Sequence, residues 1–356
     1  MKLAVVTCYK QPDYIRAQTL RQAAAKYPGT ELYIVKNSKT GAIRYLEIIW
    51  KLIKVRFKHH PDVYLLTFRG YEILPMFNIL TWPKAVIYDE FINPIEWLQE
   101  PRTQRWVHYV PLPLLGVSYR LLLRRCKVVL ADTEAHAKYS ASINKLPNAK
   151  TVSIPVGTNE VLFTPNKQTN NARRSVNFQV FYYGNMLPLH GLSYVLGAAN
   201  LLKALPIEFV LVGGGENARQ AALGALADGS KINYRSWVDF NKLPDEITQA
   251  DLCLGGPFGG TIQAQMVITG KTYQFMASAA PTLIGQSQVT SMFKDKVNCL
   301  CVPQADAKEL AIAIKWAYEN QPKLQLIGQK GYELYLSSFS QKVVNEKFAT
   351  MLKTLF

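Results

Sequence analysis

At 356 residues the chain exceeds what one hydrophobic core usually organises, so two domains are expected. Its 49% hydrophobic and 19% charged residues describe a folded globular protein and exclude a disordered one. A net charge of +16 points to nucleic acid, anionic membrane or phosphorylated molecules as partners, but RNP-like aromatic patterning is missing and nucleic acid is not expected.

The start, MKLAVVTCYK, predicts a strand with no long apolar core behind it, so no signal peptide is expected. No apolar run reaches the roughly 18 residues of a spanning helix. LAVVT, ELYIV, VYLLTF and AVIYD, then VVLAD and KTVSIPVG, are short apolar runs with amphipathic segments between several of them. Such strands, apolar on both faces, predict a parallel sheet sandwiched by helices. In the segment RYLEIIWKLIKVRFKHH, Arg44, Glu47, Lys51, Lys54 and Lys58 recur at steps of three and four as one polar stripe, with Leu46, Ile49, Trp50, Ile53 and Phe57 elsewhere. It reads either as a sheet-covering helix with a solvated basic face or as a basic, Trp-containing element for a membrane surface. A second patch, VPLPLLGVSYRLLLRRCKVVLAD, adds Arg120, Arg124, Arg125 and Lys127. Residues 1–165 hold 23 Lys and Arg against 12 Asp and Glu, which makes an anionic membrane surface a candidate partner of this half.

The polar stretch TPNKQTNNARRSVN then interrupts the pattern, and 166–177 reads as a linker between a first domain, 1–165, and a second, 178–340. The second repeats the scheme in QVFYYG, EFVLVGGG, INYRSW, DLCLGG and APTLIG. The last segment, 341–356, is an amphipathic helix with Val343, Phe348, Met351 and Leu352 on its apolar face. Five cysteines, odd in number and without a CxxC pair, read as thiols in a reducing, cytoplasmic compartment.

Three glycine-rich junctions carry the candidate chemistry. QVFYYG ends at Gly184, and the loop NMLPLHG, with His190 and Gly191, opens a helix near Leu192 whose free N–H groups suit a diphosphate. EFVLVGGGEN empties a strand into glycines but lacks the spacing of a dinucleotide site. From Asp251 to Ile284 a strand, a loop with Gly255, Gly256, Gly259 and Gly260, a helix bearing Lys271, Tyr273 and Gln274, and a second strand follow in order. A loop so free of side chains lets backbone N–H groups approach an anion, or else makes a tight turn beside a surface lysine.

Taken together, GNMLPLHG, FVLVGGGEN, SWVDFNKLPDEITQADLCLGGPFGGTIQAQMVITGKTYQFMASAAP and the earlier VSIPVGTNEVLFTP resemble the donor half of GT-B glycosyltransferases of family 4, also called group 1. The resemblance implies an α/β fold of two Rossmann-like domains with parallel sheets facing a central cleft, and a final helix that packs back toward the first domain. It implies an enzyme, a hexosyltransferase that moves a sugar from a nucleoside diphosphate sugar to a hydroxyl of a glycan or lipid-linked acceptor with retention. A role in polysaccharide or glycoconjugate synthesis, cytoplasmic and peripheral on the inner membrane face, goes with it.

By the same resemblance, Gly184, Asn185, Gly191, Gly214, Phe258, Gly259, Gly260, Thr261, Lys271, Tyr273 and Gln274 bind donor, and Lys271 and His190 stabilise the leaving diphosphate. Asp89 orients the acceptor, with Glu96, Asp132, Thr133 and His136 on the acceptor side, although Asp132 and Thr133 are equally good helix caps. No cofactor or metal is expected. The chain departs from the family at two points: Met266 and Gln274 stand where a pair of glutamates usually contacts the sugar and the ribose. A catalytically silent GT-B-like protein that binds a glycan or partner is therefore the alternative.

Overall fold

The computed structural model describes residues 1–99, 112–165 and 177–355. Two compact units account for them, Met1–Val156 with Gln341–Phe356, and Gly157–Ser340. The division comes earlier than the expected linker, which lies almost wholly outside the described residues. Residues 157–165 go with the second unit because Glu160 accepts a hydrogen bond from Tyr335 and Phe163 packs edge-on against Phe240.

The first unit is built on β1 (Lys2–Thr7), β2 (Glu31–Lys36), β3 (Val63–Thr67), β4 (Ala85–Asp89), β5 (Val128–Ala131) and β6 (Thr151–Ser153), all parallel, in the order β2-β1-β3-β4-β5-β6. Its helices are α1 (Ile15–Lys26), α2 (Ile43–His59), α3 (Leu74–Leu80), α4 (Pro94–Gln99), α5 (Leu112–Arg125) and α6 (Glu134–Ile143). Alternate strand residues point to opposite faces, so two cores form. Leu3, Val5, Leu65 and Ile87 meet α1 on one face, and Ala4, Val6, Leu66 and Tyr88 meet α2, α3 and α5 on the other. Each of the six runs expected to be strands in this half is one.

The second unit repeats the plan with β7 (Phe178–Gly184), β8 (Ile207–Gly213), β9 (Ile232–Arg235), β10 (Leu252–Leu254), β11 (Thr282–Gly285) and β12 (Leu300–Val302), again all parallel, in the order β12-β11-β10-β7-β8-β9. Its helices are α7 (Leu192–Leu201), α8 (Gly215–Ala227), α9 (Leu243–Gln249), α10 (Gly270–Ala277), α11 (Ala307–Glu319) and α12 (Gln321–Ser338). Strand β12 is not among the five runs expected in this half. The last helix, α13 (Gln341–Leu355), belongs to the first unit, where Val344, Phe348, Met351 and Leu352 join α1 on the sheet. Val343 is not among those four buried residues; Val344 takes the inward position. No helix of the described residues is long and apolar enough to cross a membrane.

Candidate active site

In open parallel sheets, ligands bind beyond the strand ends where the strand order reverses. In the second unit that point lies between β7 and β10, the two strands whose ends carry Gly184 and the Gly255–Gly260 loop. Chain topology therefore brings together two motifs about 70 residues apart.

The two loops interlock through their backbones. Gly191 is left-handed, with φ at 71°, and a Cβ there would meet Gly259 N and Phe258 C at 2.6 Å; a Cβ on Gly259 would in turn strike Pro188 O. Glycine is needed at both because main chain occupies the space a side chain would take. The pairing uses up one expected ligand contact: Gly259 N donates to Leu189 O at 2.9 Å, so this amide is not offered to a sugar. Phe258 is a buried core residue whose carbonyl accepts from Ala305 N, and Thr261 Oγ1 accepts from Ala264 N, so both support the loop itself. Gly260 and Asn185 stand exposed. Gly214, left-handed, caps α8 and abuts Met186 and Ala218, which makes its role one of close packing.

Lys271, the second residue of α10, is 5% exposed. Its Nζ and the His190 ring flank Gly184, at 3.6 and 3.7 Å from where a Cβ of that glycine would stand. Burial pushes the Lys271 ammonium down to about 7, and no carboxylate pairs with it among the described residues; its Nζ stands 5.2 Å from the Tyr182 ring centroid. A buried cation without an anion is a costly arrangement unless a ligand completes it. His190 is lowered well below its ordinary value by burial and by the neighbouring Lys271 charge, so its imidazole is neutral. The ring's Nδ1 accepts from Leu187 N at 3.3 Å, which leaves the hydrogen on Nε2, and Tyr182 fixes the residue by donating to its carbonyl at 2.6 Å. At the start of α7, Tyr194 N and Val195 N already bond Gly191 O, while the N–H groups of Leu192 and Ser193 precede the first helical bond. Gln274, one turn beyond Lys271, is buried with no hydrogen-bond partner for its Oε1, and Tyr273 is buried edge-on against Phe339. Met266 is buried as well.

In the first unit the geometry reassigns the expected acceptor residues. Asp89 is fully buried: Arg16 donates to it from Nε and Nη2, at 3.0 and 2.8 Å to Oδ1, and Phe68 N donates to Oδ2. Arg16 Nη1 also donates to the carbonyls of Ile154 and Pro155, so this pair ties β4 to the segment after β6 and has no oxygen left to orient an acceptor. Thr133 is the N-cap of α6, accepting from His136 N, and Asp132 Oδ1 bonds His136 Nδ1 at 2.7 Å. The capping role is thus the observed one for Thr133, and Asp132 and His136 hold each other. The Glu96 side chain lies outside the described residues. Two groups went unmarked in the sequence. Glu90 is fully buried and raised by that burial, accepting from Tyr119 and Asn93. At the switch point between β1 and β3, Tyr9, Tyr14, Phe68 and Phe91 form an aromatic cluster, with Phe68 and Arg69 both left-handed. Tyr9 and Phe91 lie far apart along the chain, so no local pattern announces the cluster.

Two six-stranded parallel sheets, each with a reversal of strand order, define the fold class of the GT-B glycosyltransferases. Residues 177–320, within the second unit, match the family model described as "Glycosyl transferases group 1". No curated protein matches the chain. Among solved structures it is similar to HepE of Anabaena in complex with UDP-glucose, at 14% identity and TM-score 0.73, covering 99% of this chain and 100% of that one. It is also similar to sucrose-phosphate synthase of Thermosynechococcus elongatus, at 13% identity and TM-score 0.77, covering 100% and 99%. A third is TarM of S. aureus, at 13% identity and TM-score 0.62, covering 85% of this chain and 58% of that one. At these identities the likenesses establish the fold.

Proposed function

We propose that the protein is a retaining glycosyltransferase that moves a sugar from a nucleoside diphosphate sugar to a hydroxyl of a glycan or lipid-linked acceptor, in the cytoplasmic synthesis of polysaccharide or glycoconjugate. The observation that carries this reading is Lys271, a buried cation without a paired carboxylate among the described residues, beside a neutral His190 and a helix start at the switch point of a group 1 domain. The HepE complex with UDP-glucose supports a nucleoside diphosphate sugar as donor.

On this reading the bond between the anomeric carbon and the β-phosphate oxygen breaks and negative charge builds on the phosphate. The Lys271 ammonium, the His190 Nε2–H and the first N–H groups of α7 meet that charge. The acceptor oxygen bonds the anomeric carbon on the face the phosphate leaves, and its proton passes to the departing phosphate, so no protein base is required. Gln274 offers its Oε1 to a ribose hydroxyl, replacing the family's glutamate with a neutral acceptor. Lys271 supplies the positive charge, and the reading invokes no metal or further cofactor.

A panel of nucleotide sugars in a thermal-shift assay is expected to contain one that stabilises the protein, and Lys271→Ala to remove that shift. No response to any nucleoside diphosphate or its sugar would refute the proposal. Met266, buried where relatives carry a sugar-contacting acid, favours a second reading, a silent protein that binds donor or glycan. Donor binding with neither hydrolysis nor transfer across a broad acceptor panel would establish that one.

A further inference from the structure

On one side of the first unit, α2, α3 and α5 lie in a single layer. Ile48 and Leu52 from α2, Leu74 and Phe77 from α3, and Leu123 from α5 enter one core, and α3 touches both neighbours. Their outward faces therefore form a continuous surface. Along α2 this surface follows the polar stripe only at Lys54 and Lys58, which stay exposed. Arg44 and Glu47 turn inward, Arg44 paired with Glu72 and Glu47 accepting from Ser38, Lys39 and Lys51. Leu46, Trp50 and Phe57 point out instead, 71%, 56% and 68% exposed, at the i, i+4, i+11 steps of one helix face. Ile79 and Trp82, at and just beyond the end of α3, and Leu121 of α5 are exposed in the same layer.

The charges are arranged around these apolar groups. The three helices hold eight Lys and Arg and a single acid, the inward Glu47. Lys54 Nζ sits 3.5 Å from the Trp50 ring centroid, and the Arg125 guanidinium 4.8 Å from that of Trp82. Protein–protein interfaces disfavour lysine, and a surface facing water alone seldom keeps an exposed stripe of this kind. Indole rings held among cations, with aliphatic groups alongside, are what an interface between lipid headgroups and acyl chains accommodates.

We propose that this face docks on an anionic lipid bilayer. Leu46 and Phe57 enter the boundary of the acyl chains, Trp50 and Trp82 lie at headgroup depth, and Lys54 and Arg124 meet lipid phosphates. The inference concerns a surface of the first unit and is independent of donor chemistry at Lys271.

The test is co-sedimentation of the full-length protein with vesicles of phosphatidylcholine alone and of phosphatidylcholine with phosphatidylglycerol, at low and high salt. The protein is expected to sediment with the anionic vesicles, to remain in solution with the neutral ones, and to be released by salt. Two exposed double variants, Trp50→Ser with Phe57→Ser and Lys54→Glu with Arg124→Glu, are each expected to weaken partitioning by about tenfold or more while melting as the wild type does. Equal behaviour of both vesicle types, or variants that sediment like the wild type, would overturn the proposal. So would a concentration-dependent dimer in sedimentation velocity that the Trp50, Phe57 variant abolishes, which would make the face an interface between two copies. Thermal shift by a nucleotide sugar, measured on the same variants, separates loss of this surface from failure of the donor site.

Discussion

Lys271 shows how a single side chain acquires its chemistry from burial. Its ammonium falls from the ordinary 10.5 to about 7, because desolvation disfavours the charged form, so near neutral pH both forms are populated. A diphosphate favours the protonated form and raises the lysine again when it binds. Affinity for a nucleotide sugar is therefore expected to be greatest below about pH 7 and to fall as pH rises above it, until the pKa of the complex is reached. Calorimetric titration from about pH 6 to about pH 9 checks this, and the slope should disappear in Lys271→Met. The sign for the fold itself is the opposite. Between about 7 and 10.5 the unfolded chain binds more protons than the folded one, so the stability lost to burying this charge is recovered as pH rises through that window. At Asp89 and Glu90 neighbouring carboxyls take different fates for a reason the sequence does not display: Arg16, 73 residues upstream, neutralises the first, while burial raises the second.

At the scale of elements, the site rests on two loops that fit only as bare backbone. The segment Leu187–Gly191 folds into a short turn ahead of α7, and the Phe258–Gly259 main chain lies against it. Gly191→Ala would force an L side chain into φ 71° with its Cβ 2.6 Å from Gly259 N. A loss on the order of 1–3 kcal/mol is expected, from backbone strain and from parting the loops. The melting temperature should drop and nucleotide-sugar binding weaken together; an unchanged melt would contradict the interlocked arrangement. The glycines themselves are legible as loop signals, and so is the helix start at Leu192. That Gly259 spends its amide on Leu189 is not legible there, since it depends on how loops distant in sequence meet. Helix α2 makes the same point: its 3.6-residue period is visible in the sequence, but Glu72 and the Ser38 loop draw Arg44 and Glu47 inward, which leaves Leu46, Trp50 and Phe57 facing water beside Lys54.

For the molecule as a whole, the chain returns to its first unit at the end. Val344, Phe348, Met351 and Leu352 of α13 are buried against the core that α1 and the first sheet share. Full burial of such a side chain contributes about 1.5–3 kcal/mol, so four together rival the whole stability of a domain, roughly 5–15 kcal/mol. Truncation after Ser340 is expected to leave the second unit folded and the first one loosened. Limited proteolysis should then cut first within residues 1–156, and a calorimetric scan should separate into two transitions; a single transition at the wild-type temperature would refute this.

What the sequence determined by itself were the features carried by short-range pattern. Apolar runs of strand length between amphipathic segments imply parallel sheets, because strands buried on both faces need helices to cover them. Glycines at strand ends mark loops where main chains pass close together, because a side chain there would have no room. Tertiary structure alone decided which charges are spent and which remain. Asp89 is consumed by Arg16 and Gly259 by Leu189, whereas Lys271 is left buried with no carboxylate paired to it among the described residues. Those outcomes depend on distances between segments tens of residues apart, and desolvation and pairing are set by such distances rather than by the order of residues along the chain.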